Sequence, residues 1–156
     1  MTIEQKKEFT RRIAQGNSTE LIIVLYDMTL VYIDDALEQF DKDEKQCALE
    51  LSRAKNCLDE MISNLHFEVE LAKNFHQIYL SMKKAIREGL AEKNKEKIVS
   101  VKNNLMKLKE AYEQIVSSDQ GGPVMSNTQD VVAGLTYGKT DVNENLKDDG
   151  NRGFLV

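Results

Sequence analysis

The sequence contains few of the residues that form tight turns, and it lacks the long apolar runs of membrane spans and secretion signals. Its 156 residues include one proline and eight glycines, too few for the many turns of a β-sandwich or β-barrel. It contains no run of 18 apolar residues, which excludes a transmembrane helix. Residues 1–7 also lack the apolar stretch of a secretory signal peptide. We therefore expect one globular domain, no membrane insertion and a cytoplasmic location.

Signs of catalysis, metal binding or nucleic-acid binding are equally scarce. The net charge of −5 argues against a protein that binds duplex DNA, because binding to DNA phosphates needs a surplus of lysine and arginine. Cys47 and Cys57 are separated by about 15 Å of helix rise, so we expect two free thiols. No glutamate stands three residues before His66 or His76, so the di-metal motif of helical bundles is absent. Residues 133–140 match a relaxed phosphate-loop pattern, but no strand precedes them. We expect no enzyme, no cofactor and no metal site.

Apolar residues recur with helical spacing in three segments. Steps of three and four residues run from Cys47 to Leu65, from Leu71 to Ala85 and from Ile98 to Ile115. An apolar run starting at Leu21 indicates one more helix before them. We predict helices near 18–40, 44–65, 68–92 and 95–118, joined by loops so short that sequential helices pack antiparallel. The fold class is therefore all-α, an antiparallel up-down four-helix bundle over residues 17–118.

Capping residues support these boundaries. Residues 17–20, Asn-Ser-Thr-Glu, form a capping-box pattern before the first predicted helix. Asp43 with Gln46 offers the same device to the second, and Asn94 can cap the fourth. Residues 121–123, Gly-Gly-Pro, end the fourth helix.

The segments that flank the predicted bundle differ in character. The first helix is apolar nearly all round, so its outer side needs a cover, either the short N-terminal segment 1–16 or another chain. Residues 119–156 are rich in glycine and acids and have no helical period, which predicts a flexible tail. Because it has apolar clusters near 131–137 and 154–156, one hypothesis is that this tail binds weakly to the bundle, as a peptide client would. An unattached tail is the alternative.

Two stretches resemble the FliS family of flagellar export chaperones. Residues 20–27, Glu-Leu-Ile-Ile-Val-Leu-Tyr-Asp, are similar to the family's Glu-Leu-x-x-x-Leu-Tyr-Asp signature. Residues 78–86 are similar to its Tyr-x-x-Met segment, followed here by Lys83-Lys84 where an arginine pair is usual. The resemblance extends over about residues 9–118. It implies an antiparallel helical bundle that binds the disordered C-terminal region of flagellin, prevents premature polymerisation and supports delivery to the flagellar type III export apparatus.

The resemblance also selects candidate binding residues and partners. Motif matches and apolar positions give seven client-binding candidates: Ile13, Leu21, Tyr26, Asp27, Tyr79, Met82 and Lys83. The expected partners are the flagellin C-terminal segment and the flagellar export gate, and we expect a monomer or a weak dimer. The alternative is a non-catalytic helical bundle that acts as a homodimeric structural module.

Overall fold

Every secondary-structure element in the described part of the chain is a helix. The computed structural model describes residues 1–16, 18–65 and 70–118. Its five helices are α1 (Ile3–Gln15), α2 (Ser18–Gln39), α3 (Glu44–Ser63), α4 (Glu70–Ala91) and α5 (Lys95–Ser118). The all-helical class predicted from the sequence is confirmed over these residues. The predicted tail, His66 and the cap residue Asn17 lie outside them.

The N-terminal segment, expected only as a cover, is itself a helix. Thr2 and Gln5 form a capping box: the Thr2 hydroxyl accepts a hydrogen bond from the Gln5 N–H, and the Gln5 side chain accepts one from the Thr2 N–H. Only Phe9 is buried along α1. A single buried position gives no apolar seam, which is why the periodicity did not reveal this helix.

Local caps set the ends of the longer helices. The Asp43 carboxylate accepts a hydrogen bond from the Gln46 N–H at 3.0 Å and starts α3. The Gln46 side chain does not complete a capping box: the Asp43 N–H donates to the Gln39 carbonyl at 2.9 Å, and the Gln46 amide donates to Glu50. The Asn94 side chain accepts from the Glu96 N–H at 3.2 Å, so it caps α5 as expected.

The turn between α4 and α5 holds the one non-glycine residue with a positive φ among the described residues. Lys93 has φ 54°, the left-handed conformation that usually selects glycine. The Asn94 N–H donates to the Gly89 carbonyl at 2.8 Å and the Lys93 N–H donates to the Leu90 carbonyl at 3.3 Å. This pair of bonds is a Schellman motif, which closes the C-terminus of α4.

One apolar core joins the four long helices. α2 contacts α3 and α5, α4 also contacts α3 and α5, and α1 packs only on α2 among the frequent contacts. Because α2 faces neighbours on three sides, its nearly continuous apolar surface has a structural explanation. The largest fully buried apolar side chains are Tyr26, Ile22, Ile33, Leu51, Leu58, Met61, Ile86, Ile98 and Leu105. No helix in the described ranges is long and apolar enough to cross a membrane.

Candidate functional site

The surface where α1 covers α2 is the first candidate site. Phe9 is 8% exposed and is the one buried side chain of α1. The connection from α1 to α2 is tight at Gly16: a Cβ there would lie 2.7 Å from the Arg12 carbonyl oxygen and from the Glu20 Cγ. Glycine is therefore required by space, although its φ of −82° is ordinary. α1 thus lies on α2 through a small apolar contact.

Arg12 supplies most of the polar attachment of α1. Its guanidinium donates two hydrogen bonds to Glu20 Oε2, at 2.9 and 2.7 Å, and one to Asp27 Oδ2 at 2.9 Å. Burial lowers the pKa of Arg12, but the hydrogen bonds to Glu20 and Asp27 outweigh it and raise the pKa. The other oxygen of Asp27 lies 2.6 Å from the Lys109 ammonium of α5. Asp27 therefore joins three helices in one ionic network.

Four of the seven predicted binding residues belong to the two helices of this surface, and three of them are not fully buried. Ile13, on α1, is 45% exposed. Leu21, on α2, is partly buried. Asp27, also on α2, is engaged with Arg12 and Lys109. The structure therefore places a carboxylate and two partly accessible apolar side chains on the α1–α2 pair.

Three other candidates are buried in the core. The hydroxyls of Tyr26 and Tyr79 are 2.7 Å apart and share a hydrogen bond, with the Tyr112 ring 6.2 Å from that of Tyr26. Burial raises the pKa of Tyr79 to about 12 and the pKa of Tyr26 well above its usual value. Met82 is also buried. In this structure these motif residues hold helices together and do not offer an open surface.

Lys83, the last candidate, forms an ion pair with Asp59 and so links α4 to α3. Its side chain is partly buried, and its ammonium is already engaged by a carboxylate. Its role in client binding stays a prediction.

Sequence reasoning did not find the groove between α4 and α5. This groove has a volume of about 590 Å³, within the range of about 300–1,000 Å³ typical of small-molecule sites. Ile78, Met82 and Leu108 form its apolar lining, and its polar lining is Gln77, Ser81, Asn104 and Lys107. The sequence places Ile78 in the predicted seam of α4, but it gives no sign that 38% of this side chain stays exposed.

Side chains that hold metals do not cluster in the described ranges. No group of three or more histidine, cysteine or acidic residues there could hold a metal ion. Cys47 and Cys57 are free and buried, and burial raises the pKa of both thiols. Both cysteines therefore act as apolar side chains of the core.

Comparison with protein families identifies the chain's relatives. The family described as flagellar protein FliS matches residues 2–119. The chain belongs to the FliS family of flagellar chaperones. The match begins before α1 and so includes it in the family domain, whereas the resemblance seen in the sequence began near residue 9. None of the curated proteins compared with the chain matches it.

Proposed function

We propose that this FliS-family protein is a cytoplasmic export chaperone that binds the disordered C-terminal region of flagellin. In this role it prevents premature polymerisation and supports delivery to the flagellar type III export apparatus, with the export gate as a further partner. The family match over residues 2–119 carries the proposal. α1 has a single buried side chain against α2, and this supports the idea that a client helix can take its place on α2.

We also propose that α2 to α5 form an antiparallel up-down four-helix bundle. Asp27 pairs with Lys109 and Asp34 pairs with Lys102. Moving forward along α2 therefore corresponds to moving backward along α5. The loop after α2 and the turn after α4 lie at the same end, where Asp41 contacts Lys95 and Glu44 contacts Lys93. Both observations favour alternating helix directions.

The proposed client site is the surface of α2 under α1. α1 is held by Phe9, by the Arg12 network and by the ion pair of the preceding Met1 ammonium with Asp35. Its other side chains are exposed or partly exposed. Burial of one phenylalanine stabilises by about 1.5–3 kcal/mol. A client helix with apolar residues at spacings of three and four can replace this apolar contact. Ile13, Leu21 and Asp27 then lie at the exchanged surface.

Titration calorimetry of the full chain with a synthetic flagellin C-terminal peptide tests this function. We expect one-to-one binding at micromolar concentration or tighter, a gain of helix by circular dichroism and a negative heat-capacity change. A scrambled peptide of the same composition is the control. No heat and no helix gain, together with a mass that rises with protein concentration, would instead favour the homodimeric structural module.

Displacement of α1 has its own test in two α1 variants. Phe9→Ala removes the buried contact, so it raises the fraction of molecules with α1 released and tightens the apparent affinity for the peptide. Ile3→Ala is the matched control, because Ile3 is 68% exposed. Equal affinities for the two variants and the unmodified chain would refute displacement while leaving peptide binding intact.

A further inference from the structure

The groove between α4 and α5 is apolar and open, and none of the described helices covers it. Ile78, on α4, is 38% exposed. Met82 and Leu108 complete the apolar lining beside Ile78. α1 packs on α2, and none of its residues lines this groove. The groove is therefore distinct from the α1–α2 surface.

The segment that follows α5 has the length and composition to fill this groove. Residues 131–137, Val-Val-Ala-Gly-Leu-Thr-Tyr, include five apolar side chains. The 12 residues 119–130 connect them to the end of α5, a reach of about 40 Å when extended. Leu108 lies ten residues before Ser118, which is about 15 Å along the helix. The connecting residues can therefore place this segment on the groove.

Charge at the groove favours the same occupant. Lys107 is exposed on the lining and forms no ion pair with any described residue. Asp130 directly precedes the apolar segment, whereas Lys139 and Asp141 follow it and offset each other in charge. A carboxylate beside Lys107 forms an exposed ion pair, which contributes little to the free energy of docking but favours one orientation of the segment. The apolar side chains supply the main driving force.

We propose that residues 131–137 dock in the α4–α5 groove of their own chain. Tethering makes this docking intramolecular, with an effective concentration on the order of millimolar. A weak apolar contact is therefore enough to keep the groove occupied, whatever the protein concentration. The consequence is that this groove is closed to other apolar peptides until the segment is displaced.

The absence of tryptophan from the sequence gives a clean test in the full chain. Tyr137→Trp introduces a single reporter, and we expect blue-shifted emission and weak quenching by acrylamide. Adding Ile78→Asp to this variant should restore the emission and quenching of an exposed tryptophan. Leu80→Asp is the matched control, because Leu80 is on the same helix, is 42% exposed and does not line the groove. It should leave the emission unchanged.

A second reporter guards against effects of the tryptophan itself. Ser81→Cys on the groove and Thr136→Cys in the segment should form a disulfide within one chain under mild oxidation. The pair Thr10→Cys and Thr136→Cys should not, because Thr10 is exposed on α1, which lines no part of the groove; the native thiols are buried. An exposed tryptophan in the Tyr137→Trp chain, equal effects of Ile78→Asp and Leu80→Asp, or disulfides only between chains would each overturn the proposal. None of these measurements uses flagellin, so their failure is distinguishable from failure of the proposed function.

Discussion

Removing one hydroxyl from the buried Tyr26–Tyr79 pair should destabilise the fold. Tyr79→Phe leaves the Tyr26 hydroxyl, which is fully buried, without its hydrogen-bond partner. An unsatisfied buried hydroxyl costs about 1–3 kcal/mol. For a chain of this length each kcal/mol lowers the melting temperature by about 3 °C, so we expect a decrease of roughly 3–9 °C. Thermal and urea unfolding followed by circular dichroism measure it.

The double variant tests whether the two hydroxyls act as one unit. Tyr26→Phe with Tyr79→Phe removes both polar groups, so its loss of stability should be smaller than the sum of the single losses. Tyr32→Phe is the control: Tyr32 is only partly buried and forms no hydrogen bond through its hydroxyl within the described residues, so a change below about 0.5 kcal/mol is expected. Additive single effects, or a neutral Tyr79→Phe, would refute the shared hydrogen bond.

The same pair predicts loss of stability at alkaline pH. Both tyrosines have raised pKa values in the folded state, that of Tyr79 to about 12, whereas an unfolded tyrosine ionises near pH 10. Their contribution to the free energy of unfolding is therefore complete below about pH 10. It is lost as pH rises towards 12, by up to about 1.4 kcal/mol per pH unit for each group. Urea unfolding between these pH values should show a shallower decline in the double phenylalanine variant. Equal slopes would contradict the assignment.

Three glycine-related changes give further predictions. Lys93→Gly should stabilise the fold by about 0.5–1 kcal/mol in urea unfolding, because relief of a positive φ of 54° outweighs loss of the exposed ion pair between Lys93 and Glu44; a loss of stability would contradict this. Gly89→Ala should destabilise by about 1–2 kcal/mol in the same assay, since its Cβ would lie 2.9 Å from Ile98 Cγ1; an increase would show that helix propensity prevails. Gly16→Ala should reduce hydrogen-exchange protection of α1 and leave α3 unchanged, because the new Cβ would lie 2.7 Å from the Arg12 carbonyl; unaltered protection of α1 would refute the steric argument.

Features that depend on neighbours in sequence were predictable. The spacing of Leu58 and Leu105 placed them in an apolar seam, and both are fully buried. Asp43 and Asn94 were recognised as caps because a cap needs only a short polar side chain beside the first helical turn. These interactions extend over three or four residues, which a sequence shows directly.

Features that depend on helix orientation were not predictable. Ile78 and Met82 share one helical spacing, yet Ile78 is exposed and Met82 is buried, because the neighbouring helix decides how far the seam is covered. Motif similarity selected Tyr26 and Tyr79 as binding candidates. A motif does not distinguish a residue that binds a client from a residue that packs in the core. The link from Arg12 to Asp27 spans 15 residues, so no local pattern reveals it.

The Asp27 carboxylate has a consequence for how the state of α1 can be observed. One of its oxygens accepts from Arg12 of α1 and the other lies beside Lys109 of α5. Undocking of α1 removes one of two cations from a single carboxylate, so the environment of the Lys109 ammonium changes although α5 need not move. By reciprocity, a change that strengthens the Lys109 contact alters the free energy of α1 docking by the same coupling. Magnetic resonance of the Lys109 side chain therefore reports the position of α1 without a probe on α1 itself.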